Sequence, residues 1–357
     1  MSLARVAPGV LVPGELVPPE SKSDAQRALV LRSVRGLPPV AVPPDAPEDT
    51  QHLAKGLEVL AKGGGDVHVG DGGAPLRFLL TQAALTPGAR TAFHGSERLA
   101  ARPHGPLVDA LLAALKSDGL SLEWNGQWPL VVQAPAKVSA RTFRVDGAQS
   151  SQYASSLLLG AAKLAVRTSE TVSVAIDGKR ASEGYLELTL DWLRATGFTL
   201  STQGGRISVS PRSAPPKWPD VPGDWSSGAA LLALAWKCGG SVRGLPKPEA
   251  HPDGAIVGML TQVGLAVSPG KRWQVSGAAQ RGLDVSVQAS PDLALVLAAL
   301  ACVLPGESVL RDVAVLRAKE SDRAAGVLEL VRAAGGQGEA RDDRLVLTPP
   351  REFKALR

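Results

Sequence analysis

The sequence predicts a layered α/β protein of two domains, built from repeated β-α-β-α-β-β units. Three observations carry that prediction. A short run rich in Gly, Asp, Ser or Ala leads into an apolar helix five times, at residues 21–24, 70–74, 146–151, 223–227 and 290–292. From the second copy on, these starts lie roughly 67 to 77 residues apart, which marks an internal repeat. A second helix-periodic stretch follows about 30 residues after each start, and short β-branched runs lie between the helices.

The elements follow in order. The first copy opens on Ser21-Lys22-Ser23-Asp24, and its second helix begins near Asp49 (DTQHLAKGLEVLAK). The second opens on Gly70-Asp71-Gly72-Gly73-Ala74, with RPHGPLVDALLAAL from Arg102 as its second helix. In the third, the strand Thr142-Phe143-Arg144-Val145 precedes Ser150-Ser151, and the strand 172–176 precedes the helix SEGYLELTLDWLRATG from Ser182. The fourth runs from Gly223-Asp224-Trp225-Ser226-Ser227 to PDGAIVGMLTQVG, and the fifth from Ser290-Pro291-Asp292 to ESDRAAGVLELVRAAGG. Further strands are expected at 207–209, 285–287 and 344–348. Several helices run into Gly, the usual C-terminal stop. The Pro-rich stretch 214–222 reads as an interdomain crossing. The expected domains are therefore 14–214, with three units, and 1–13 plus 215–357, with two.

A chain of 357 residues exceeds one ordinary core. Hydrophobic residues at 44% and charged residues at 20% suit a soluble globular protein. The basic residues behind the net charge of +5 are scattered and not interleaved with aromatics, which argues against nucleic acid and for small anionic substrates. The five histidines and two cysteines show no metal-ligand spacing. Cys238 and Cys302 lie in apolar stretches and read as buried free thiols in a reducing cytosol. No apolar run is long enough to cross a membrane, and the N-terminus lacks the apolar core of a signal peptide, so a cytoplasmic location is expected. Small residues at a helix start leave the first N–H groups open, and the helix dipole makes that end positive. A chain that builds this device repeatedly is expected to handle a substrate with several anionic groups.

Six of these segments together resemble one family. SKSDAQRALVL resembles the S-K-S-x-x-x-R signature of 5-enolpyruvylshikimate-3-phosphate synthases. GDGGAPLRFL is similar to their G-N-A-G-T-A-x-R-P loop, and DGAQSSQYASSLLLGA to their S-S-Q segment. SEGYLELTLDWLRATG, SPDLALVLAALA and LRAKESDRAAGVLELVRAAGG are similar to the S-x-x-Y, P-D-x-A and R-x-K-E-[ST]-D-R motifs, in family order. The resemblance implies a two-domain enolpyruvyl transferase-like fold with five of the usual six units present. It implies transfer of the enolpyruvyl group of phosphoenolpyruvate to the 5-hydroxyl of shikimate 3-phosphate, with no metal or organic cofactor. The expected partners are those two small molecules, with no nucleic acid and no membrane. The family is mostly monomeric; an open sheet edge would invite self-association.

The resemblance also implies roles. Lys22 contacts phosphoenolpyruvate and takes part in proton transfer, Asp292 holds the 5-hydroxyl as its base, and Glu320 is an acid/base for the methylene carbon. Ser23, Arg27, Ser150, Ser151, Ser182, Tyr185 and Lys319 would bind shikimate 3-phosphate. Gly73, Arg102, Gln152 and Arg323 would bind phosphoenolpyruvate. Taken alone, most of these positions have plainer readings: N-caps for Ser23, Ser150, Ser151 and Asp292, a solvated amine for Lys22, surface salt bridges for Arg102 and Arg323. The chain departs from the family pattern at Asp71 (for Asn), Ala74 (for Thr) and Phe78 (for Pro), and at Glu20 (for Gly). A carboxylate at 71 would repel phosphoenolpyruvate unless paired. The family's final H-R-x-A-M helix and tail lysine find no match, which leaves binding of shikimate 3-phosphate without turnover as the alternative expectation.

Overall fold

The computed structural model describes residues 14–148, 150–178, 183–215, 217–317 and 322–352. Ser182, Lys319 and Glu320 fall outside the described residues. The chain divides into two compact units, one of residues 21–221 and the other of residues 1–20 with 222–357.

The first described strand, β1 (Glu15–Leu16), belongs to the second of these units. It pairs in parallel with β10 (Ser241–Arg243), and Glu15 forms an ion pair with Arg243 at 2.6 Å. An isolated antiparallel bridge joins Glu20 to Gly223 within the same unit.

The 21–221 unit begins with α1 (Lys22–Val34) and α2 (Glu48–Ala61). The second repeat follows as β2 (Gly64–His68), α3 (Gly73–Ala84), β3 (Arg90–His94), α4 (Glu97–Ala100), α5 (Gly105–Leu115), β4 (Ser121–Glu123) and β5 (Leu130–Gln133). The third is β6 (Thr142–Asp146), α6 (Ser151–Thr168), β7 (Val172–Asp177), α7 (Glu183–Ala195), β8 (Phe198–Gln203) and β9 (Arg206–Pro211). In the other unit, α8 (Trp225–Cys238), β10, α9 (Ile256–Gln262), β11 (Ala266–Ser268) and β12 (Arg272–Ser276) complete the repeat that β1 starts. The last repeat is β13 (Asp284–Ser286), α10 (Ala294–Ala301), β14 (Ser308–Arg311), α11 (Arg323–Ala333), β15 (Gln337–Arg341) and β16 (Arg344–Thr348).

Among the described residues there are four sheets, and all share one topology. The first two strands of each repeat run parallel, and the last two form an antiparallel hairpin on the second strand: β2-β3-β5-β4, β6-β7-β9-β8, β1-β10-β12-β11 and β13-β14-β16-β15. Parallel neighbours need a crossover helix, which each repeat supplies. Equivalent registers place Val67 beside Phe93, Val145 beside Ile176 and Val285 beside Leu310. The first of the five expected β-α-β-α-β-β units differs. It contributes only α1 and α2, and residues 35 to 47 between them form no strand. α2 lies against β2 of the following repeat, where a methyl group at Gly56 would stand 3.1 Å from Val67 Cγ1; it keeps an apolar inner face (Leu53, Leu57, Leu60) and turns Lys55 and Glu58 outward.

Each unit has its own apolar core. In the 21–221 unit the central element is α6, which buries 13 of its 18 residues. Its small residues allow close packing on α3: a methyl group at Gly160 would lie 2.4 Å from Thr81 Cγ2. The thiols differ from expectation in one respect. Cys302 is buried, but Cys238 ends α8 and is only half-buried, because the helix stops there at Gly239.

Candidate functional site

In the 21–221 unit, side-chain contacts link the N-terminal ends of five helices. Ser21 caps α1 by accepting the Asp24 N–H at 3.3 Å. Lys22, the first residue of that helix, donates to Asp49 at the start of α2 at 3.0 Å. Asp49 Oδ1 lies against Gly72, where a methyl group would meet it at 2.8 Å. Next to it, Gly73 opens α3 and faces Arg102: a Cβ there would lie 2.6 Å from Arg102 Nη1. Only glycine lets that guanidinium lie against the helix start. At α6, Ser150 is the N-cap and accepts the Gln152 N–H at 3.2 Å, with Ser151 buried behind it.

Arg77 ties α3 to α6. It is 3% exposed, donates to Gln152 Oε1 and, at 3.0 Å, to the Pro103 carbonyl, and lies 5.0 Å from the Tyr153 ring centroid. Two cations so near have an effect on His104. Its Nε2–H donates to the Leu99 carbonyl at 2.8 Å. Burial first, then the Arg77 charge and more weakly that of Arg102, lower its pKa to about 4, so it stays neutral. Two guanidinium groups thus stand beside a buried, neutral histidine. That is the setting in which phosphate and carboxylate groups bind.

Arg27 takes a position the sequence did not disclose. It is 4% exposed and bridges α1 to α7, donating to Thr189 Oγ1 at 2.7 Å, the Ser23 carbonyl at 2.7 Å and the Tyr185 carbonyl at 2.9 Å. Burial lowers its pKa to about 10, with Asp24 opposing. Thr189 passes the contact to Ser155 on α6 at 2.8 Å. Arg27 therefore aligns three helices whatever else it touches. Asp71 is exposed and accepts the Ser96 hydroxyl, so the carboxylate that stands where the family has Asn is hydrogen-bonded.

The other unit holds a separate cluster. Asp292, at the turn before α10, accepts from Arg323, the first residue of α11, which also reaches the Pro291 carbonyl at 3.3 Å. Asp224 caps α8 by accepting the Ser227 N–H at 2.7 Å. Asp253, in the turn before α9, is 0% exposed and accepts the Ser226 hydroxyl.

The structure thus brings Lys22, Ser23, Arg27, Gly73, Arg102, Ser150, Ser151, Gln152 and Tyr185 into one linked set of helix ends, and pairs Asp292 with Arg323. Sequence reasoning passed over Arg77 and Asp253. Arg77 had a signal, a lone charge inside the apolar run Ala74-Pro75-Leu76-Arg77-Phe78-Leu79. Asp253 had none, because an Asp after a Pro reads as an ordinary helix start.

The family model for EPSP synthase (3-phosphoshikimate 1-carboxyvinyltransferase) matches residues 43–356. The chain is 33% identical over 295 residues to the 3-phosphoshikimate 1-carboxyvinyltransferase of Herminiimonas arsenicoxydans, covering 80% of this chain and 65% of that protein. It is 32% identical over 371 residues to the protein of that name from Halobacterium salinarum, covering 94% and 83%. An EPSP synthase structure from Acinetobacter baumannii superposes with a TM-score of 0.66 over 95% of this chain and 82% of that one; at 18% identity this likeness speaks for the fold. The chain belongs to the EPSP synthase family.

Proposed function

We propose that the protein transfers the enolpyruvyl group of phosphoenolpyruvate to the 5-hydroxyl of shikimate 3-phosphate, releasing inorganic phosphate. The observation that carries this is the family match over residues 43–356, joined to helix ends that keep the family's Ser-Lys-Ser and Ser-Ser-Gln residues. Binding without turnover is not favoured, since the relatives compared carry the synthase's name.

In this reading Ser23, Ser150, Ser151 and Tyr185, with Ser182 and Lys319, bind shikimate 3-phosphate. Open N–H groups at the α6 start add donors for its phosphate. Arg27 contributes chiefly by holding α1 against α7. Arg102, backed by Gly73, binds the phosphoenolpyruvate anion with Lys22, Gln152 and Arg323. Asp292 removes the proton from the 5-hydroxyl as that oxygen attacks C2 of phosphoenolpyruvate. Glu320 or Lys22 delivers a proton to the methylene carbon. The tetrahedral adduct then loses a proton from its new methyl group, and the C–O bond to phosphate breaks to restore the double bond. Positive charge develops at C2 during addition, and fixed cations hold the surrounding anions in place without moving. A cytoplasmic setting fits this reaction; no described helix is long and apolar enough to cross a membrane.

The test is phosphate release from purified protein given both substrates. Phosphate formed in step with consumption of phosphoenolpyruvate, and only with shikimate 3-phosphate present, is the expected result. A folded protein that releases none would overturn the proposal, as would failure to restore growth of a host lacking this step.

A further inference from the structure

Asp253 lies apart from every role the family resemblance implies, yet it is the least exposed ionisable side chain near Asp292. It is 0% exposed, and Oδ1 has no hydrogen-bond partner among the described residues. Oδ2 accepts only the neutral hydroxyl of Ser226, at the start of α8. Its own backbone N–H donates to His251 Nδ1 at 3.1 Å, which leaves that imidazole's proton on Nε2 in the neutral form. The Ser290 hydroxyl donates to the Pro252 carbonyl at 2.7 Å, tying the turn that carries Asp253 to the turn that carries Asp292.

The charges that act on Asp253 come from three elements. Asp224 at the α8 start and Asp292 before α10 are negative, and Arg323 at the α11 start is positive. Arg323 is already engaged with Asp292. Two carboxylates near one engaged guanidinium cannot both ionise cheaply, and the fully buried one, with a single hydroxyl donor, keeps the proton. Paired carboxylates set apart by environment in this way divide into a neutral and an ionised partner.

We propose that Asp253 is a positioning residue that works as a protonated carboxyl, so that Asp292 beside it stays ionised and paired with Arg323. Burial first, then the Asp292 charge, raise the Asp253 carboxyl to about 7. As pH rises past that point, Asp253 ionises, draws on Arg323 and sets a second negative charge where anionic substrates bind. The catalytic part of this inference rests on the proposed reaction, while the protonation itself does not.

Two measurements test it. The first is the urea midpoint of wild type and Asp253→Asn from pH 4 to 8. A carboxyl raised from 3.8 to about 7 binds a proton in the folded state that the unfolded chain gives up, so stability falls as pH rises through that window. The amide variant lacks that fall. The second is kcat/KM for both substrates over the same range. Wild type declines by about tenfold per pH unit above 7, as loss of one proton requires, and Asp253→Asn does not. The substrates' own phosphate titrations are common to both proteins. Equal urea slopes in the two proteins would overturn the protonated carboxyl. A limb that persists in Asp253→Asn, or loss of turnover at pH 6 in a variant with the wild-type urea midpoint, would overturn the positioning role. A wild type without turnover but with the slope difference would sink the proposed reaction and leave the protonation standing.

Discussion

Gly160→Ala tests the packing that sets the candidate site. A Cβ at 160 would stand 2.4 Å from Thr81 Cγ2 and 3.0 Å from Leu85 Cδ1. Thr81 cannot simply turn away. Its hydroxyl is 2.6 Å from Ser156 Oγ, which in turn donates to the Arg77 carbonyl at 2.5 Å. Either α6 and α3 move apart by about an ångström, or the buried hydroxyl pair breaks. Overpacking of this kind costs about 1–3 kcal/mol. A broken buried hydrogen bond costs about 1–3 kcal/mol. Alanine returns about 1 kcal/mol of helix propensity over glycine. The net expectation is destabilisation by about 1–3 kcal/mol.

The assay is urea unfolding followed by tryptophan fluorescence, with attention to the transition of the 21–221 unit. The control is Thr81→Ser in the Gly160→Ala background. It removes Cγ2, the atom nearest the new methyl group, and keeps the hydroxyl. The double variant should recover most of the loss, giving a coupling of about 1–2 kcal/mol between two residues in contact. Because α3 and α6 present Gly73 and Ser150 from their N-terminal ends, Gly160→Ala should also raise KM for phosphoenolpyruvate. A Gly160→Ala protein as stable as wild type, or a double variant with simply additive losses, would refute this account of the α3–α6 contact.

Other perturbations have outcomes of their own. Arg102→Ala removes one charge-assisted contact, worth about 1.5–3 kcal/mol; KM for phosphoenolpyruvate should rise by about tenfold to a hundredfold in the phosphate-release assay. Gly73→Ala pushes a methyl group into the same guanidinium and should raise that KM without altering the urea midpoint, because the far end of a flexible side chain can yield. Arg323→Ala takes away the partner of Asp292 and should lower kcat; unchanged turnover would remove Arg323 from the site. Lys163 donates to the Gln82 carbonyl at 2.9 Å and the Thr86 hydroxyl at 2.7 Å, and burial first, then Arg167, lower it from 10.5 to about 7. Its unfolded form holds a proton that the folded form releases between those values. Stability should therefore rise with pH from about 7 to 10.5 in wild type, and that slope should vanish in Lys163→Met.

Much of the fold was legible because helix starts and repeat spacing are local signals. Ser150 and Asp224 act as the N-caps their positions suggest, accepting from Gln152 and Ser227. Alternation in Thr142-Phe143-Arg144-Val145-Asp146 alone puts Phe143 and Val145 inside. What stayed hidden is what distant residues decide. β1 has two residues among Gly and Pro neighbours, and it is a strand only because β10, far along the chain, pairs with it. Arg27 has partners in Thr189 and Tyr185, which lie 162 and 158 residues away, so no local pattern could show that it braces helices.

The first repeat joins both lessons. Its start at residue 21 lies much closer to the next start, at 70, than any later pair of starts lie to each other. That shortfall is about the length of a strand hairpin with its turn, and the hairpin is what the structure lacks there. Helices without a sheet need another surface to pack on. α1 finds it in α6 and α7 through Arg27, Thr189 and Ser155, and in Trp192, which donates to the buried Asp24 at 2.7 Å. The polar residues of the Ser-Lys-Ser-Asp start thus carry structural load that a sheet would otherwise share. Asp24→Ala, which leaves the Trp192 N–H buried and without its carboxylate, should accordingly destabilise the 21–221 unit by about 1.5–3 kcal/mol in urea unfolding. A loss below about 0.5 kcal/mol would mean that α1 is held by its apolar face alone.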